Sequence, residues 1–164
     1  MNSAVFDSSS LIFCLKIPRL LEVARRRFGE LFVPASVLEE VRKGGKKSEA
    51  PEVPLLEELL AKGVFRNASA KPLPYGSIGR GEAEALAVAL AKKAFCLSDD
   101  RKAWSAGNAS GVKVLSMPAM LIACCRKKMI EKKEAAGLVE RLVSEGYYLK
   151  ATDYLEIIKA IDNA

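Results

Sequence analysis

Histidine is absent from the 164 residues, and this removes several chemistries at once. Ser-His-Asp and Cys-His catalysis, histidine general bases and His-ligated zinc are all excluded. Cysteine is scarce: Cys14, Cys96, Cys124 and Cys125 stand in apolar or helical contexts with no C-x-x-C pair. That spacing suits neither a metal knuckle nor a secreted disulfide framework, and it predicts reduced, buried thiols in a cytoplasmic protein. No apolar run approaches the roughly 18 residues of a membrane span. A signal peptide is not expected either, because no positive residue precedes the first apolar stretch and Asp7 interrupts it. Internal repeats, low-complexity tracts and a linker are also missing, so a single domain over 1–164 is expected. Catalysis in such a chain has to run on carboxylates, hydroxyls, amines, thiols or a hard metal ion.

Half of the residues are apolar, which argues against disorder. A chain of this length buries roughly 68–70% of its unfolded surface and needs no metal or disulfide staple to fold. Lys and Arg number 26 against 20 Asp and Glu, a net charge of +6 with a pI near 9.2. This excess is compatible with a polyanionic partner without requiring one.

Short apolar runs alternate with helical patterns. Ala4-Val5-Phe6, Leu31-Phe32-Val33, Phe95-Cys96-Leu97 and Val112 to Leu115 read as strands, with Val64-Phe65 as a minor one. Helical spacing covers Leu11 to Lys16, Leu20 to Phe28, Pro34 to Lys43, Pro54 to Lys62 and Gly81 to Ala94. It returns at Arg101 to Ala109, Met117 to Lys128, Lys132 to Glu145 and Asp153 to Ala160. Gly44 to Ser48 and residues 67–78 read as loops. The alternation predicts an α/β fold: a three-layer α/β/α sandwich with a central parallel sheet.

In such sheets a ligand site lies outside the carboxyl ends of the strands, and acids gather there. Asp7 follows the first strand directly, Asp99 and Asp100 follow the third, and Glu39 and Glu40 lie in the helix after the second. Asp and Ser at strand ends also cap helices as a matter of routine. Glu84 sits in the run Ala83-Glu84-Ala85-Leu86-Ala87-Val88-Ala89, apolar on every helical face and therefore buried. A carboxylate there needs a partner: a cation, or a salt bridge to Arg80 or a nearby Lys. Glu82 lies about 200° around the helix, so the two cannot share one face, and one of them suits the helix start. An all-oxygen donor set fits a hard divalent cation such as Mg²⁺ or Mn²⁺. Such an ion can orient a water against a phosphodiester and offset charge on its oxygens. Arg42, Lys43, Lys46 and Lys47, around the Gly-Gly loop, are candidate phosphate contacts. Arg25-Arg26-Arg27, Lys92-Lys93 and Arg126-Lys127-Lys128 form further basic clusters, each explicable as a solvated helix face. Phe65, Tyr75, Trp104, Tyr147 and Tyr148 are available to stack bases, although packing is their default use.

Four blocks together resemble a known family. Val5-Phe6-Asp7-Ser8-Ser9, Val33-Pro34-x-x-Val37-x-x-Glu40-Val41, Gly81-Glu82-Ala83-Glu84-Ala85-Leu86-Ala87 and Leu97-Ser98-Asp99-Asp100 occur in the order found in PIN-domain ribonucleases. In particular they resemble the VapC-like toxins of toxin–antitoxin systems, a likeness that places Glu82 at the helix start. It implies a PIN-like fold and a Mg²⁺- or Mn²⁺-dependent endoribonuclease acting on RNA, with Asp7, Glu40, Glu84 and Asp100 as catalytic, metal-holding acids. It implies Ser9 as a hydrogen-bonding support and Asp99 as an extra, the doubled acids leaving Asp99/Asp100 and Glu39/Glu40 open by one residue. It further implies a homodimer and an antitoxin protein as partner. The pattern departs from the family after Asp100, where Lys102-Ala103-Trp104 replaces the usual basic residue and Asn108 stands nearest to any further acid. Two functions compete with this one: a catalytically weak or inactive PIN module that binds RNA or a protein, and a metal-dependent phosphatase or response-regulator-like domain using Asp7.

Overall fold

The computed structural model describes residues 2–72, 74 and 76–164. Its first half holds β1 (Ser3–Phe6), α1 (Ser8–Lys16), α2 (Pro18–Phe28), β2 (Glu30–Pro34), α3 (Ala35–Ser48), α4 (Glu52–Ala61) and β3 (Phe65–Ala68). The second holds α5 (Arg80–Lys92), β4 (Phe95–Leu97), α6 (Arg101–Ser110), β5 (Val114–Leu115), α7 (Met117–Arg126), α8 (Lys132–Ser144) and α9 (Ala151–Asp162). The strands form one parallel sheet in the order β3-β2-β1-β4-β5. The chain winds from β1 outward to β2 and β3, then crosses back to add β4 and β5 on the other side. The carboxyl ends of β1 and β4 therefore flank the topological switch point, where a parallel sheet opens a crevice.

Successive side chains of a strand face opposite ways, and the two helical layers collect them. Ala4, Phe6, Leu31, Val33 and Leu97 pack with Leu11, Leu20, Val37 and Leu121 in the larger core. Val5, Phe32, Cys96 and Val114 meet Ala85, Leu86, Val88 and Ala89 in the smaller one. α5 and α6 cover one face, and α1, α2, α4 and α7 the other, with α8 and α9 backing α7. This is the expected three-layer arrangement. All four cysteines are free and buried, and burial pushes the Cys14 and Cys96 thiols up, away from the reactive range.

The Gly44–Ser48 loop is not a loop. α3 runs through both glycines to Ser48, because Gly45 is where α3 meets the chain entering α4. A Cβ on Gly45 would lie 2.0 Å from the Val53 Cγ2 atom, so the residue that lowers helix propensity is needed for the packing. The minor strand extends to Ala68 and joins the sheet edge. The fifth strand shortens to Val114-Leu115, and the first helix begins at Ser8, directly after Asp7. No helix among the described residues is long and apolar enough to cross a membrane.

Candidate active site

Asp7 continues the β1–β4 ladder by donating its N–H to the Leu97 carbonyl at 3.2 Å. Its carboxylate then turns to cap α1, accepting the Ser10 N–H at 2.8 Å. The Ser10 hydroxyl lies within reach of both that carboxylate and the Leu97 carbonyl, 2.7 Å away, while Ser98 also bonds to Asp7. Burial holds the Asp7 carboxyl above the usual aspartate range. The serine bonds oppose the rise and the charge of Asp100 adds to it.

Three further acids converge on it. Glu40, on α3, accepts a hydrogen bond from the Ser8 hydroxyl. α5 begins against it: a Cβ on Gly81 would lie 2.7 Å from Glu40 Oε1, so any larger residue there would displace that carboxylate. Glu82 follows in the first turn of α5, half-buried. Burial raises its pKa, its own backbone hydrogen bond lowers it, and the charges of Asp7, Glu40 and Asp100 raise it again. Asp100 caps α6 by accepting the Ala103 N–H at 2.9 Å and stays exposed. Asp7, Glu40, Glu82 and Asp100 thus share one electrostatic field at the switch point.

Several of the expected roles fall elsewhere. Glu84 is buried as its apolar helix demanded, but the side chain it faces is not Arg80. Its Oε2 accepts the Ser36 N–H at 2.8 Å, where the first turn of α3 has unpaired donors and a favourable dipole. Glu84 thereby ties α5 to α3, and Glu82, assigned to the helix start, is the α5 acid facing the others. The physical reason is the roughly 200° between them: the apolar faces of α5 turn Glu84 inward and leave Glu82 at the crevice. Arg80 instead pairs with Glu39 at the surface, 3.1 Å away, which separates Glu39 from Glu40. Ser9 is exposed, and the supporting bonds expected of it are made by its neighbours Ser8 and Ser10. The sequence signal for this was Asp7 as an N-cap, whose partner is the N3 residue. Ser98, buried, was not singled out by sequence.

Asp99 points away from Asp100. Its Oδ1 accepts the Met117 N–H at 3.1 Å and the Tyr147 hydroxyl at 2.5 Å, while its Oδ2 is buried without a partner. Burial, against both hydrogen bonds, pushes its pKa up to about 6. Asp99 thus braces the start of α7. Arg42 is engaged in a two-point bond by Glu57 of α4, at 2.6 and 3.1 Å. Lys43, Lys46 and Lys47 remain exposed, outside every ion pair among the described residues. Phe65 is buried against Phe6 and Tyr147 is engaged by Asp99; Trp104 and Tyr148 stay exposed, and Tyr75 lies outside the described residues. A cavity of about 460 Å³ opens beside Ser8 and Glu40, walled by Ile12, Val41 and Val53, with Lys16 lining it.

Among the described residues, no three Asp, Glu or Cys side chains close to metal-holding geometry. The donor chemistry nevertheless suits a hard cation, which takes one or two direct carboxylates and keeps waters on its other positions. The glycine cradle over Glu40 and the mutual repulsion felt by Asp7 and Glu82 mark where positive charge is wanted.

A five-stranded parallel sheet in this order, with acids at the β1/β4 switch point, defines the PIN-domain class. A family profile described as "DUF3368: PIN domain" matches residues 3–163, and the chain belongs to that family; PIN domains are generally nucleases. It is similar in fold to a solved PilT N-terminus domain protein, SSO1118, from the hyperthermophilic archaeon Sulfolobus solfataricus P2. That likeness has a TM-score of 0.53 and 20% identity, and it covers 74% of this chain and 92% of that one. No curated protein matches the chain.

Proposed function

We propose that this PIN domain is a Mg²⁺- or Mn²⁺-dependent endoribonuclease whose site is built from Asp7, Glu40, Glu82 and Asp100. The observation that carries the reading is the shared field of these four acids in the switch-point crevice. Asp7 and Glu82 are both displaced toward protonation by neighbouring carboxylates as well as by burial, a pattern typical of functional sites. Asp7, with Glu82 and Asp100 nearby, would hold the ion; Glu40, fixed by Ser8 and pressed by Gly81, completes the ring. When bound, a divalent ion supplies charge neutralisation at the phosphodiester and polarisation of a water. The chain supplies the rest. Ser10 and Ser98 fix the Asp7 carboxylate, the starts of α1 and α6 hold the rotamers of Asp7 and Asp100, and the exposed side of Asp100 leaves an approach for the phosphate. Glu84 acts by positioning, locking α5 to α3 and so setting Glu82 against Glu40.

The toxin role, the VapC-like subgroup, a homodimer and an antitoxin partner are proposals that rest on the four ordered sequence blocks, and a cytoplasmic setting is one that rests on the reduced, buried cysteines. The deciding experiment is cleavage of a labelled single-stranded RNA in Mn²⁺, comparing wild type with Asp7→Asn. Loss of at least 100-fold in the variant, with RNA binding retained, is the expected result; about 2.7 kcal/mol of barrier is the corresponding scale. Undiminished cleavage by Asp7→Asn would sink the assignment. Absence of cleavage by the wild type, with RNA still bound, would favour an inactive binding module.

A further inference from the structure

The positive charge of this molecule is sorted by location, and the sorting concerns the end of the sheet opposite the acids. α2, α5 and α6 end where β2, β4 and β5 begin, and α7 runs back to the same side, so their last turns share the amino edge of the sheet. Three basic clusters far apart in sequence meet there. Arg26, Arg27 and Lys127 all act on the thiol of Cys124, between α2 and α7. The Arg27 guanidinium lies 5.5 Å from the centre of the Phe95 ring at the start of β4, and the Lys113 ammonium lies 5.8 Å from the same ring. Lys93 and Lys113 then line a cavity of about 380 Å³ with Asn2, Phe95 and the Gly111 backbone. The cations form a continuous band from α7 through α2 and β4 to β5.

Cations near helix C-termini are favoured by the dipole, but that effect does not account for three features here. First, none of the seven ion pairs among the described residues uses Arg25, Arg26, Lys93, Lys113, Lys127 or Lys128. Glu30, at the start of β2 on this edge, pairs with Arg66, and Glu22 with Arg19. Second, the cations come in adjacent runs, where repulsion offsets what the dipole gives. Third, the backbone yields to the charge. Lys93 (φ 52°) and Lys128 (φ 54°) are two of the three non-glycine residues with left-handed φ among the described residues. α2 and α6, ending on the same edge, use Gly29 and Gly111 at the corresponding turn. Glycine is the easy residue there, yet at α5 and α7 the chain places lysine. Strain kept at a position that glycine would relieve points to a role for the side chain.

We propose that this amino edge is a second nucleic-acid contact surface, holding backbone phosphates of an RNA whose reacting segment lies at the acidic carboxyl edge. The choice of RNA rests on the function proposed above; the phosphate chemistry rests on the unpaired band itself. The 13 residues of α5 set the two edges roughly 20 Å apart, so a strand of about 20 nucleotides reaches both.

The test is binding without turnover, by fluorescence anisotropy in EDTA, of a long single-stranded RNA of about 20 nucleotides, at salt from about 50 to 200 mM. The variant is Lys93→Gly/Lys128→Gly, which removes two charges while easing both turns; its melting temperature, equal to or above wild type, certifies the fold. The long RNA is expected to bind several-fold more weakly to the variant, with the slope of log K against log salt shallower by about 1.4, or about 0.7 per lost phosphate contact. Unchanged affinity and slope for the long RNA would overturn the proposal, and so would polyglutamate competing as well as RNA, which would assign the edge to an acidic protein. The arms are separate from catalysis. A protein that shows the expected binding but never cleaves RNA refutes only the proposed activity; one that cleaves RNA but binds it identically after both substitutions refutes only this surface.

Discussion

Asp99 accepts hydrogen bonds from the Met117 N–H and the Tyr147 hydroxyl, yet burial still lifts its pKa from 3.8 to about 6. A raised folded-state value means the folded protein holds the proton more tightly than the unfolded chain. The resulting stabilisation is full below pH 4 and is lost as pH rises through 6. A displacement of this size corresponds to about 3 kcal/mol. Melting temperature is therefore expected to fall between pH 4 and pH 6.5 more steeply in wild type than in Asp99→Asn. The comparison is one of slopes, since the asparagine leaves an unpaired donor where Oδ2 now sits and lowers the whole curve. Equal slopes would show that Asp99 does not titrate in this range. The serines after Asp7 give a second residue-scale outcome. Ser10→Ala removes a buried hydroxyl that bonds to Asp7 and is expected to cost about 1–3 kcal/mol. Ser9→Ala, at an exposed position, is expected to stay within about 0.5 kcal/mol. Thermal melts of the two variants reverse the ranking that the family pattern suggested.

Between elements, glycine decides the contacts that matter. Gly81→Ala improves helix propensity by up to about 1 kcal/mol, but its Cβ would stand 2.7 Å from Glu40 Oε1 and push that carboxylate aside. The expected result is a protein at least as stable as wild type with Mn²⁺-dependent cleavage reduced 10-fold or more, read from melts and a cleavage assay on the same preparation. Gly45→Ala is expected to behave oppositely. Overpacking against Val53 costs about 1–3 kcal/mol, and Val53→Ala in the same chain recovers most of it, so a double-mutant cycle returns a coupling above about 0.5 kcal/mol. These contacts also explain what the sequence could and could not convey. The strands at 4–6, 31–33 and 95–97 and the acids at their carboxyl ends were legible because apolar runs, Asp caps and the switch-point rule are local or topological signals. The buried environment of Glu84 was legible from its apolar helix, but its partner was not: the Ser36 N–H lies 48 residues away, and nothing in either segment announces it. The same gap hid Glu82, whose place in the cluster depends on which face of α5 meets α3. Gly44-Gly45 looked like a loop because propensity is read one segment at a time, whereas here the second helix sets the requirement.

Across the whole molecule, charge is arranged at a cost to stability: Asp7, Glu40, Glu82 and Asp100 crowd one edge, and unpaired cations crowd the other. Like charges held together destabilise the empty fold, and a ligand that neutralises them returns that energy as apparent stability. Glu82→Gln is therefore expected to raise the melting temperature of the metal-free protein, because it removes a half-buried carboxylate whose charged form is disfavoured by burial and by Asp7, Glu40 and Asp100. The same substitution is expected to abolish most of the gain that Mn²⁺ gives to wild type. At a metal concentration 100 times the dissociation constant that gain is about 2.7 kcal/mol, or roughly 5–10 °C for a chain of this size. It shrinks at acid pH, where Asp7 and Glu82, with raised pKa values, take up protons that compete with the ion. Differential scanning calorimetry of both proteins at pH 5 and pH 7.5, with and without Mn²⁺, separates the two effects. A variant that is destabilised without metal, or that gains as much from Mn²⁺ as wild type does, would return Glu82 to the helix start and the role of third acid to Glu84.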